Sequence, residues 1–154
     1  MLGMPADGAE LLVAVFDANE DAISYNDRML LAELWMLARE FEFAVREFEV
    51  AAGMDESGEA SWRLAQLYLQ RENYSAADTA LADSISAYSE AAPLQLYYLQ
   101  AVVAINLEDF DAAAAALLRI EADAEYAERV EQLYLYMNQR DRKSTRLKSS
   151  HITR

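Results

Sequence analysis

The chain has no cysteine, and its one histidine lies among the last four residues. This rules out a disulfide framework, a thiolate nucleophile and the sulfur–imidazole ligand sets of structural zinc. Carboxylates alone would have to hold any metal, and they suit magnesium or calcium better. Lysine is absent before Lys143; residues 1–140 hold eight arginines against 26 carboxylates, a net charge of −18, and the whole chain stands at −14. So acidic a surface argues against nucleic acid and anionic lipid as partners, since both need basic patches. No apolar run reaches the roughly 18 uncharged residues that a membrane helix requires. The opening MLGMPADG has neither the basic nor the long apolar region of a visible signal peptide. Glycine-rich phosphate loops are missing, and Ser84 and Ser86 have no histidine base within the body of the chain. No cofactor is expected, and nothing in the sequence supports an enzyme.

What remains is a chain that is 54% hydrophobic and 26% charged, with only four glycines and two prolines. Its abundant Ala, Leu and Glu favour helix throughout. The stretch from Ala60 to Ile85 organises it. Leu64, Ala65 and Tyr68 share one face of a first helix, Tyr74 stands at a turn, and Ala77 and Leu81 share one face of a second. Small residues at Ala65 and Ala77 let two helices approach closely, and the larger ones fill the space around that contact. Leu31, Ala32, Trp35, Phe41, Ala44 and Phe48 repeat the spacing upstream; Ala101, Ala104, Phe110, Ala113 and Leu117 repeat it downstream. The steps are 33 residues from Ala32 to Ala65 and 36 from Ala65 to Ala101.

A period near 34 with L-A-x2-Y followed by A-x3-L resembles the tetratricopeptide repeat, with Ala65 for the usual Gly, Leu81 for the usual Phe, and Trp62 one place later than that family's Trp. The resemblance covers roughly residues 6–138. It implies an all-α fold of antiparallel helical hairpins stacked as a right-handed α-solenoid. The expected parts are a partial repeat at 6–20, repeats at about 25–53, 58–89 and 94–121, and a closing helix at about 124–138. Within these, Asn26 or Asp27 is the expected N-cap of one helix, Gly53 a helix C-terminus, Pro93 a first-turn residue and Asp109 a cap. Tyr126, Val130, Leu133, Tyr134 and Met137 should face inward from the closing helix, with Glu125, Glu128, Arg129 and Gln132 outward. The N-terminal helix, with Ala9, Val13 and Phe16 in register, has no partner hairpin helix before it; it is either a cap or the start of a fragment of a longer array.

Residues 141–154, DRKSTRLKSSHITR, break the pattern. They lack apolar periodicity, contain both lysines, and resemble the translated read-through of a sequencing adapter; a basic tail is the alternative. The expected fold is therefore confined to residues 1–140.

In tetratricopeptide proteins the first helices of successive hairpins line a concave groove. Carried over by register, the resemblance implies groove positions at Met29, Glu33 and Met36, at Trp62, Gln66 and Leu69, and at Tyr98, Val102 and Ile105, with Asn26, Glu59 and Gln95 at the entry of each helix. Trp62 and Tyr98 are rings of the kind that anchor interfaces, and they are equally of the kind that pack on neighbouring helices. The chaperone-tail subclass clamps a terminal carboxylate with Lys, Arg and Asn. Here only Arg63 is near, so a neutral, basic or apolar polypeptide is the better partner. The acidic surface also serves plain solubility. The clusters Asp55, Glu56, Glu59 and Glu121, Asp123, Glu125, Glu128 lack calcium-loop spacing and read as solvated faces, so no metal is expected.

The segments LLAELWMLAREFEFAVREFEVAA, SWRLAQLYLQRENYSAADTAL and VEQLYLYM are further similar to the C-terminal part of bacterial tetratricopeptide proteins encoded beside TonB and ExbB genes. That likeness implies a periplasmic, envelope-associated role in TonB-dependent uptake; without it, a cytoplasmic scaffold is expected. Two functions thus stand side by side. One is a protein-binding scaffold; the other is a purely structural C-terminal segment of a longer solenoid whose binding or catalysis lies upstream.

Overall fold

With few glycines or prolines to break them, the apolar-periodic stretches become helices, and the computed structural model describes residues 4–19, 22–54 and 56–152, with side chains through Lys148. Glu20, Asp21, Asp55, the two chain ends and the side chain of His151 lie outside the described residues. No strand occurs among those described. The chain divides into two units, Met1–Ala92 and Pro93–Arg154.

The first unit contains α1 (Pro5–Ala18), α2 (Tyr25–Leu37), α3 (Phe41–Met54), α4 (Glu59–Gln70) and α5 (Tyr74–Tyr88). Each helix packs on the next, most extensively α2 on α3 and α4 on α5. Ala32, Ala44, Ala65 and Ala77 have no exposed surface. Phe48, Leu31, Leu67 and Leu81 fill the space around them and are equally buried. Burial of such side chains stabilises by about 1.5–3 kcal/mol each. On α1, Ala9 and Phe16 pack with Leu31 and Val13 is half-buried, whereas Leu11 and Val15 stay exposed at 70% and 55%.

The second unit contains α6 (Leu94–Asn106), α7 (Phe110–Leu118) and α8 (Ala127–Ile152). Helix α6 pairs with α7, and α7 with α8. Ala101 and Ala113 are fully buried in a core with Ala104, Leu117, Ile120, Val130 and Met137. Tyr126, Leu133 and Tyr134 are half-buried against this core, while Glu125, Glu128, Arg129 and Gln132 are exposed.

The three hairpin turns are built alike. Arg39, Glu72 and Glu108 adopt positive φ of 61°, 55° and 60°. Their amides donate to Met36, Leu69 and Ile105 carbonyls, and the next amides donate to Trp35, Tyr68 and Ala104. This double bond pattern is a Schellman motif, which satisfies helix-terminal carbonyls. The turn residues recur at intervals of 33 and 36 residues, matching the alanine spacing. Asn73 and Asp109 then start the next helices by accepting from the Ala76 and Ala112 amides, as expected for Asp109.

Four expected placements move, the first being Pro93, which is the N-cap of α6 and not a residue of its first turn. Ser24, not Asn26 or Asp27, caps α2 in a capping box with Asp27. The Ser24 side-chain hydrogen bond, followed by its backbone bond, holds the Asp27 carboxyl below the usual aspartate value. Gly53 is the penultimate residue of α3, which ends at Met54 one residue beyond expectation; the positive φ of 83° falls at Gly58, the N-cap of α4. The closing helix begins at Ala127 after a run of turns and continues to Ile152. Residues 127–152 hold no Gly or Pro, and basic side chains near a helix C-terminus complement its dipole. No described side chain after Met137 is buried.

Candidate functional site

The expected groove positions fall on α2 and α4 in the first unit and on α6 in the second. Met29 and Met36 are half-buried on α2, and Glu33 between them is exposed. On α4, Trp62, Gln66 and Leu69 are half-buried. They share one side of that helix by the 3.6-residue period. Helices α2 and α4 both pack on α3, which places their two sets of side chains on neighbours of one common helix. On α6, Tyr98 and Val102 are half-buried, but Ile105 is only 3% exposed and belongs to the core of its unit with Ala101 and Ala104. A side chain that covered presents no contact surface, so Ile105 is a packing residue. The register carried it onto the groove face, and its burial beside the helix end removes it.

The two expected ring anchors are held by their own units. Trp62 meets Tyr88 edge to face, centroids 6.4 Å apart and planes at 80°. Its indole Nε1 is buried and has no hydrogen-bond partner in the chain. Tyr98 packs on Tyr126 at 5.9 Å, and the Arg129 guanidinium lies 5.9 Å from both ring centroids. Edge-to-face contacts and cation–π contacts of this kind each contribute about 0.5–1.5 kcal/mol.

Beneath Trp62 lies a buckle that the residue spacing did not foretell. The Gly58 carbonyl accepts from the Trp62 amide at 3.0 Å and from the buried Ser84 hydroxyl at 2.8 Å. A Cβ at Gly58 would meet the Ser84 carbonyl oxygen at 2.9 Å and the Tyr88 ring at 3.0 Å. Glycine is required there both by its φ and by this approach. Ser84, considered in the sequence only as a nucleophile without a base, instead ties the end of α5 to the start of α4. A small polar residue at an otherwise apolar helical position was the available signal.

Charge is arranged around the hairpins. The first unit carries 18 carboxylates against five arginines. Arg28 pairs with Glu47 at 2.8 Å and lies over the Phe16 ring; Arg71 pairs with Glu42 at 2.6 Å and lies over Phe41. Arg63 is spent locally on Glu59 at 3.5 Å, so it offers no clamp for a terminal carboxylate. Burial, followed by the nearby Glu49 and its hydrogen bond, raises the Tyr68 hydroxyl above its usual value. No group of three metal-ligating side chains occurs among the described residues. Of the first acidic cluster, Asp55 lies outside the described residues and Glu59 is paired with Arg63. In the second, Asp123 accepts from the Glu125 amide and Glu121 from the Tyr134 hydroxyl. No described helix is long and apolar enough to cross a membrane.

No protein-family model, curated protein or solved structure matches the chain.

Proposed function

We propose that the chain is a tetratricopeptide-like scaffold that holds a neutral, basic or apolar polypeptide segment against the α2 and α4 face, with Met29, Glu33, Met36, Trp62, Gln66 and Leu69 as contacts. The observation that carries the proposal is the repetition of one hairpin design. Three alanine pairs without exposed surface and three identical Schellman turns recur at intervals of 33 and 36 residues. Repeated hairpins of this kind leave extended surfaces in place of catalytic pockets. The excess of carboxylates in the first unit selects against acidic ligands. Half-buried methionines adapt to varied side chains, and Gln66 supplies an amide for a partner backbone.

A second, architectural role draws on the ring contacts. Trp62 on Tyr88 and Tyr98 on Tyr126 are what packing rings do in a structural segment. Immobilised short peptides of defined charge separate the two roles. A scaffold retains basic or apolar peptides, and loses them on Leu69→Glu or Met36→Glu with helicity unchanged. An architectural segment retains none.

A further inference from the structure

Helices α3, α4 and α5 bound an open groove, and the preceding hairpin step carries bulkier residues at the matching positions. Ala76, Asp83 and Ala87 on α5 line it; 33 positions earlier, α3 carries Phe43, Val50 and Met54. Ser61 and Tyr68 on α4 line it too, and their counterparts on α2 are Arg28 and Trp35. In the earlier step bulkier residues stand at the matching positions, with Phe43, Val50 and Met54 themselves 44%, 45% and 46% exposed. Trp35 stacks on Phe43 at 5.0 Å, and Arg28 spans from the Phe16 ring to Glu47. In the later step methyl, hydroxyl and carboxylate groups stand at the matching positions. They leave a cavity of about 630 Å³ and an adjoining one of about 380 Å³, which share Ala52, Ser61 and Asp83.

Ala52, Ala76 and Ala87 give the groove its accessible apolar surface, above the buried Leu64 and Ala80. Glu49, Glu56 and Asp83 stand around it, with no arginine or lysine among the described lining residues. No ion pair among the described residues involves these three carboxylates. On α4 the lining residues Ser61, Leu64 and Tyr68 lie on a different side of the helix from Trp62, Gln66 and Leu69. The groove is therefore a different surface from the one proposed above.

We infer that this groove docks an amphipathic helix of a partner protein, with small apolar residues on its facing stripe and Arg or Lys on its flanks. Small side chains on both walls allow close approach of a helix, whose apolar stripe would cover Ala52, Ala76 and Ala87. The uncompensated carboxylates select flanking cations and repel an acidic helix.

The test uses the full chain and two synthetic helical peptides with the same apolar stripe, one flanked by Arg and the other by Glu. Amide chemical shifts should move at Ala52, Ser61, Ala76 and Asp83 with the Arg peptide, and not with the Glu peptide. Asp83→Asn should weaken binding several-fold. The double change Ala76→Phe and Ala87→Met, which copies the bulk of the earlier step, should abolish it while circular dichroism stays unchanged. Four results would overturn the inference: no shifts with the Arg peptide, equal shifts with the Glu peptide, shifts confined to the Trp62 and Gln66 side of α4, or a self-associated chain that becomes monomeric in the double variant. The third would support the α4 face proposed above and sink only the groove.

Discussion

Replacing Gly58 by Ala should be among the most damaging single-methyl changes available to this chain. The φ of 83° places an L-residue in the left-handed region, which costs about 1–2 kcal/mol. The new Cβ would lie 2.9 Å from the Ser84 carbonyl oxygen and 3.1 Å from the Ala87 Cβ. The obstacles are backbone and a short side chain, so the end of α5 must retreat. Retreat breaks the buried bond from the Ser84 hydroxyl to the Gly58 carbonyl, worth about 1–2 kcal/mol once its groups are left unpaired. The two terms together predict a loss of about 2–4 kcal/mol, or roughly 5–15 °C in Tm. Urea unfolding followed by circular dichroism measures it. Gly53→Ala is the internal control: nothing lies within 4 Å of its added Cβ, and it sits inside α3. It should be neutral or stabilise by about 0.5 kcal/mol. Ser84→Ala should be destabilising in the parent and nearly silent in the Gly58→Ala chain, since the bond is already broken there. Equal stability of the Gly58→Ala and Gly53→Ala chains would refute the reasoning.

Further changes test other parts of the account. Phe48→Ala removes a ring with no exposed surface and should cost about 3–5 kcal/mol in urea unfolding. A chain ending at Arg140 should keep its stability within about 0.5 kcal/mol, because no described side chain after Met137 is buried and the Arg140–Glu108 pair is retained. The Asp27 carboxyl is held low by Ser24, so its contribution to stability is present above the ordinary aspartate value and is lost as pH falls through its folded value. Carboxyl NMR titration should find Asp27 below the usual range, and Ser24→Ala should return it there.

The hairpins were legible because close helix contact demands small residues, and the chain repeats them: Ala32 with Ala44, Ala65 with Ala77, Ala101 with Ala113. Asp109 was legible as a cap because its carboxylate precedes an alanine run. The turns themselves were hidden. Arg39, Glu72 and Glu108 carry positive φ without the glycine that usually announces it, the strain being offset by the paired Schellman bonds. Gly53 marked the end of α3 to within one residue, but glycine there looks the same in sequence whether or not its φ is positive, and the positive φ falls at Gly58. Ile105 was misplaced because register assigns a face but not the depth of neighbouring side chains. The packing role of Ser84 was hidden because its partner is a backbone carbonyl 26 positions away. The length of α8 exceeded expectation since helix continuation needs no apolar stripe when charge favours it. The α3–α5 groove was invisible for a related reason: it is made by what Ala76, Asp83 and Ala87 lack relative to Phe43, Val50 and Met54.

Nuclear Overhauser contacts between alanine methyls, in a chain labelled only at alanine, bear most directly on the repeated close-packed hairpin. Cross-peaks joining Ala32 to Ala44, Ala65 to Ala77 and Ala101 to Ala113 are the predicted result. Their absence from any hairpin, in a chain that is still helical, would contradict it.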